Sequence, residues 1–298
     1  MISAKPWKPD AVVRLVLSVL VCVYCGSLAE SILHYGGSGG HAGGKLFYPA
    51  AAVAVGFLGA ALVLLRESWQ VENVMRRLLV ALACVYAGFL VGAWIQKCAG
   101  AESISTRQTL INSLSGHGAV IVLAGCLLRE HGVGWAEGFG LSNRAWQAVL
   151  LGAVAAGVLF PLARELDRAL VLVLERLPGL GVEPEVQQAV KVIEQAVSWP
   201  SRLALGLMAI VLAPVGEELL FRGILYPRIK TAGFPRLALW GTATLFAAIH
   251  ANLVLFLPLL VLALALTALY EWTDNLLAPI VAHSGFNALN LALLHLSQ

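Results

Sequence analysis

Three short stretches near the C-terminus carry side chains that are rare inside apolar sequence. They are Glu217, Glu218 and Arg222 in VLAPVGEELLFRGILYPR, His250 in LFAAIHANL, and His283 with Asn287 in LAPIVAHSGFNALNLALL. An ionisable group in a transmembrane helix costs about 2.5 to 3.5 kcal/mol on insertion scales, so each of these needs a reason to be there. Residues four apart on a helix share a face, so Glu218 and Arg222 stack one turn apart and can neutralise each other. Glu217 is rotated from Glu218 by about 100° and has no basic residue at that interval. Phe246 with His250, and His283 with Asn287, repeat the same spacing. Lipid cannot satisfy polar groups, so three helices with one polar face each should turn those faces together. A carboxylate with an imidazole beside it can take a proton from water and make it a nucleophile. A second imidazole and a carboxamide can donate hydrogen bonds to the oxygen that turns negative when water attacks a carbonyl. These are the parts needed to hydrolyse a peptide bond.

The elements that must position them are transmembrane helices. Of 298 residues, 59% are hydrophobic and 12% charged, against about 25% charged in soluble domains. With 20 Lys plus Arg and 17 Asp plus Glu, polar groups are too few to cover a water-soluble surface. The net charge of +3 is scattered between apolar blocks, and no nucleic-acid footprint is present. A hydrocarbon core asks for roughly 20 apolar residues per helix. Such segments recur at residues 10 to 33, 47 to 65, 77 to 96, 110 to 128, 146 to 163, 203 to 225, 237 to 272 as a broken pair, and 275 to 296. The fold class expected is all-α, a polytopic transmembrane bundle of about eight helices. The expected division is 1-145, N-terminal helices that act as scaffold or substrate guide, and 146-298, the helical core holding the polar motifs.

The remaining features read as structural. Lys5 and Lys8 ahead of the first apolar stretch resemble a secretory signal, but Arg14 and the many later spans favour an uncleaved first helix. The cysteines Cys22, Cys25, Cys84, Cys98 and Cys126 are odd in number and mostly sit in apolar runs, so no disulfide framework follows, and the Cys22-x-x-Cys25 pair reads as packing. Residues 34 to 45 are glycine-rich and read as a connector in which His41 is solvated. Residues 164 to 199 read as an amphipathic surface helix or as a helix extending beyond the bilayer. The basic residues around the spans favour a cytoplasmic N-terminus. Glu271 and Asp274 fall where a span ends and suit an interfacial role, while Asn252 and Asn290 could stand behind the site.

In order and spacing, Glu217-Glu218-x-x-x-Arg222, Phe246-x-x-x-His250 and His283-x-x-x-Asn287 resemble the EExxxR, FxxxH and HxxxN motifs of the CPBP family. This is the CAAX prenyl protease type 2 and bacteriocin-processing group of intramembrane proteases. The resemblance covers roughly residues 200 to 298. It implies a metal-free intramembrane endopeptidase in which Glu217 activates water with help from His250, while His283 and Asn287 stabilise the oxyanion. Glu218, Arg222 and Phe246 take supporting places, and Ser284 and Gly285 inside the last motif are expected to loosen that helix. The implied partners are the lipid bilayer and a membrane-tethered or lipid-modified peptide. The implied place is a bacterial cytoplasmic membrane, crossed several times.

Three readings compete. A zinc-dependent intramembrane metalloprotease would use one Glu and two His as ligands, although no HExxH is present. A non-hydrolytic immunity or scaffold protein would keep the polar helices for packing. A transporter would use the carboxylates as a proton relay, yet the chain shows no internal repeat.

Overall fold

The computed structural model describes residues 5–35, 52–61, 106–176, 198–250 and 252–296. The expected span at 77 to 96, most of the 34 to 45 connector with His41, and Cys84 and Cys98 lie outside them. Within the described residues the fold is all-α. Its helices are α1 (Pro9–Tyr35), α2 (Ala52–Ala61), α3 (Thr106–Glu130), α4 (Trp135–Phe139), α5 (Ala145–Glu175), α6 (Trp199–Thr231), α7 (Pro235–Ala248), α8 (Leu253–Thr273) and α9 (Leu277–Leu296). Six of them, namely α1, α3, α5, α6, α8 and α9, are long and apolar enough to cross a membrane. The chain is a polytopic helical membrane protein.

Two compact units divide the chain: Lys8–Leu123, and Met1–Trp7 together with Ala124–Gln298. In the first, α1 meets the wide turn Leu114–Gly118 of α3 so closely that a Cβ on Gly26 would fall 2.0 Å from Ser115 Oγ. Cys22 and Cys25 carry free thiols. The second unit holds the three motifs.

In that unit, α5 runs without a break to Glu175. Residues 164 to 175 therefore extend the spanning helix instead of forming a separate one along the surface, because no breaker interrupts the apolar period after Pro161. Leu150, Val154, Val158 and Leu162 recur every four residues and are all exposed, the stripe a helix turns toward lipid. On the opposite side small residues bring α5 against α9. A Cβ on Gly152 would meet Ala278 O at 2.6 Å and one on Gly285 would meet the Ala156 Cβ at 2.8 Å. Apolar burial does not drive helices together in lipid, so close backbone approach of this kind is what holds them. Gly285 and Ser284 do not loosen α9, which is helical throughout. Gly285 is the groove that admits α5.

The expected broken pair is α7, which ends at Ala248, and α8, which starts at Leu253. Asn252 starts α8 by accepting the Leu255 N–H on its side chain at 3.0 Å, the usual N-cap bond. Asn290 donates to Phe286 O of its own helix at 3.0 Å. At the other end of α8, Asn275 is fully buried; its side chain donates to Asn143 O at 2.6 Å and accepts from Leu277 N at 2.8 Å. That residue fixes the start of α9 against the loop before α5, and so sets the height of His283.

Candidate active site

Glu217 and Glu218 lie in the α-helical turn Ala213–Glu218 of α6, between two wider turns, Met208–Leu212 and Leu219–Leu225, with π-helical i→i+5 bonding. Such turns inside α-helices often mark functional sites, because they shift the register of the side chains after them. Proline sets the first one apart further. Pro214 has no N–H, so the carbonyl five residues earlier, that of Ala209, receives no bond from it within the wide turn. Asn287 Nδ2 of α9 donates there at 2.8 Å.

Glu218 and Arg222 form the expected pair, Arg222 Nη1 donating to Glu218 Oε1 at 2.7 Å with both side chains buried. Arg222 is further held by Nη2 to Ala263 O at 2.9 Å and Nε to Thr267 Oγ1 at 3.4 Å, both from α8. Its guanidinium carbon sits 4.8 Å from the centre of the Phe246 ring, a cation–π arrangement. Buried charges persist only when paired and fully hydrogen-bonded. Here the carboxylate, the Ala263 carbonyl, Thr267 and the aromatic face supply partners for Arg222, while Oε2 of Glu218 is buried without a hydrogen bond.

The same carboxylate oxygen meets the third motif. His283 Nδ1 lies 3.0 Å from Glu218 Oε1, and Nε2 on the other side of the ring faces Glu217 Oε2 at 3.9 Å. His283 thus stands between the two glutamates of one motif. Phe246 joins the set: its ring is 5.7 Å from His283, 5.4 Å from Phe221 and 5.0 Å from His250. His250, half-buried at the end of α7, has Nδ1 2.7 Å from Phe246 O. A carbonyl only accepts, so Nδ1 carries the proton, and in the neutral ring Nε2 is left as a lone-pair acceptor.

The structure therefore brings together Glu217, Glu218, Arg222, Phe246 and His283, with Asn287 fastened to α6 one turn further along α9. Thr267, the Ala263 carbonyl and Asn275 complete the support and were not anticipated. Thr267 was findable, being the one threonine within LVLALALTALY. Among the described residues no group of three or more His, Cys, Asp or Glu side chains is arranged to hold a metal ion.

Residues 199–289 match the family model for type II CAAX prenyl endopeptidases, described as Rce1-like. This region is Rce1-like. All three motifs of the Rce1-like region, from Glu217 to Asn287, fall inside the match. A stretch of 77 residues is 35% identical to a protein of Bacillus subtilis (strain 168) described as uncharacterized protein YpbD, covering 24% of this chain and 36% of that one. The chain thus spans about a third of the length of that relative. No solved structure matches the chain. With six helices long and apolar enough to cross a membrane among the described residues and a region similar to this family, the protein is an integral membrane protein.

Proposed function

We propose that this protein is an intramembrane endopeptidase that hydrolyses a peptide bond in a membrane-associated protein or peptide. The observation that carries the reading is His283 set between Glu217 and a Glu218–Arg222 ion pair, beneath the aromatic ring that also carries His250.

Glu217 is the base. It takes a proton from water as the water oxygen attacks the carbonyl carbon. His250 Nε2, an acceptor by its tautomer, orients the same water. The tetrahedral oxyanion forms as the carbonyl π bond opens, and His283 and Asn287 donate to it. His283 can donate from Nε2 only as the imidazolium, because Nδ1–H is already given to Glu218. Collapse of the intermediate breaks the C–N bond, and the proton held by Glu217 passes to the leaving amine. Neither a metal nor another cofactor takes part in this scheme; zinc held by one glutamate and two histidines is the alternative that chelation tests.

The substrate is a membrane-tethered or lipid-modified peptide, and the setting is a bacterial cytoplasmic membrane. Residues 146-298 form the catalytic core, and 1-145 form a scaffold or substrate guide. Reconstitution in liposomes with a panel of tethered peptides, prenylated and unprenylated, tests this by mass spectrometry of the products. Cleavage is expected for the parent, insensitive to chelators, and absent in Glu217→Gln and His250→Ala proteins that keep the parental melting temperature. Full activity in either variant removes that residue from the mechanism, and a parent that cuts nothing in the panel sinks the peptidase reading.

A further inference from the structure

The N-terminal segment before α1 enters the unit that holds the site. Trp7 is buried at 4% exposure, and its indole Nε1 donates to Gly223 O at 2.9 Å across 216 residues of sequence. Its ring packs edge-on against His131 at 5.6 Å and against Phe139 at 5.9 Å. Lys5, two residues earlier, pairs with Asp274 at 3.7 Å.

Gly223 directly follows Arg222 in the wide turn Leu219–Leu225. The residue four positions on is Pro227, which has no N–H, so the Gly223 carbonyl has no α-helical donor available. In lipid a backbone carbonyl left alone costs several kcal/mol, and a helix broken by proline survives where a neighbouring group fills the gap. Trp7 is that group. On each side of the glutamate pair α6 therefore has a carbonyl that a proline cannot serve, Ala209 at the i→i+5 spacing and Gly223 at the i→i+4 spacing. Each takes a side-chain N–H from another element: Ala209 from Asn287 and Gly223 from Trp7. A Cβ on Gly223 would fall 2.8 Å from Phe139 Cε1, so the turn and the Trp7 pocket fit against each other without slack.

We infer that Trp7 is a positioning residue for the site: by completing the helix at Gly223 it sets the rotation of the turn that aims Arg222 at Glu218, and through Glu218 the ring of His283. Its effect on turnover rests on the peptidase reading above; its effect on the turn does not.

The test uses the full chain in liposomes with Trp7→Phe, which keeps the ring and removes the donor, and Trp7→Phe/Pro227→Ala, which returns an N–H inside the helix. Trp7→Phe is expected to lower kcat about tenfold with KM unchanged. It is also expected to speed amide hydrogen exchange in residues 219–226. In the double variant both readouts are expected to return to within about twofold of Pro227→Ala alone. Equal losses in the single and double variants, or parental exchange in Trp7→Phe, overturn the inference and leave Trp7 as packing. If Trp7→Phe does not accumulate as folded protein, a folded double variant supports the inference, and an unfolded one overturns it. If the parent cleaves no peptide, the exchange measurement alone decides, and the peptidase reading falls separately.

Discussion

His283 Nδ1 lies 3.0 Å from Oε1 of Glu218, the same oxygen that accepts Nη1 of Arg222 at 2.7 Å. The second glutamate of the pair, not the first, thus anchors the imidazole and the guanidinium together. Glu218→Gln removes the charge that both face and leaves Arg222 buried without its counter-ion. Breaking a buried pair on one side costs about 3 to 5 kcal/mol. The melting temperature in detergent should fall sharply, and an unchanged value would show that the pair adds no stability.

Glu217 has a different environment, and its side chain retains 12% exposure. Glu217→Gln keeps the shape and removes the carboxylate proposed as the base. Loss of a general base slows turnover by about 10² to 10⁴, here with little change in melting temperature. Thermal melts and cleavage rates on the same preparation separate the two glutamates: stability should follow Glu218 and turnover Glu217.

Arg222 uses three nitrogens and its flat face at once. Lysine has one ammonium and no fork, so Arg222→Lys keeps the charge and cannot reproduce the geometry. A loss of stability and turnover is expected despite the conserved charge. Parental behaviour would mean that charge alone matters.

At the crossing of α5 and α9, the Cβ positions of Gly152 and Gly285 are already occupied by neighbours at under 3 Å. Gly285→Leu or Gly152→Leu forces the helices apart and should cost about 1 to 3 kcal/mol or more. Both variants should also lower turnover by moving His283. A leucine on the lipid-facing side, at Gly157, has open space and serves as control.

Lys5 lies ahead of the first span, and burial holds its ammonium below the usual value of 10.5 against the opposing pull of Asp274. A lysine with a lowered folded value favours the neutral form in the folded state, so the unfolded chain binds more protons between that value and 10.5. Stability should therefore rise as pH climbs through this window. Lys5→Gln should flatten that slope in melts followed against pH.

The meeting of Glu217, Glu218, Arg222, Phe246 and His283 was legible because polar residues in apolar helices are few and each must be accommodated. The spacing of Glu218 and Arg222 alone predicted their pair, since one helical turn brings them together whatever surrounds them. The two halves of 237 to 272 and the spans at 203 to 225 and 275 to 296 were visible for the same reason: length and apolarity are local properties. Asn252, read as standing behind the site, also serves as the N-cap of α8, a role its place before an apolar run marked. Ser284 and Gly285 suggested weakness, whereas the gap at Gly285 is filled by Ala156 of another helix.

The amino-acid order on its own determined that the chain lies in membrane, where most of the described spans run, and that three helices carry one polar face each. Only the tertiary structure decided which groups meet: His283 between two glutamates, Phe246 beneath Arg222, Asn287 on the Ala209 carbonyl and Trp7 on that of Gly223. Helical periodicity is set by neighbours within a turn or two, but the depth and rotation of one helix against another depend on small residues, caps and proline gaps far apart in the chain. Those contacts have no signature until the backbone brings them together.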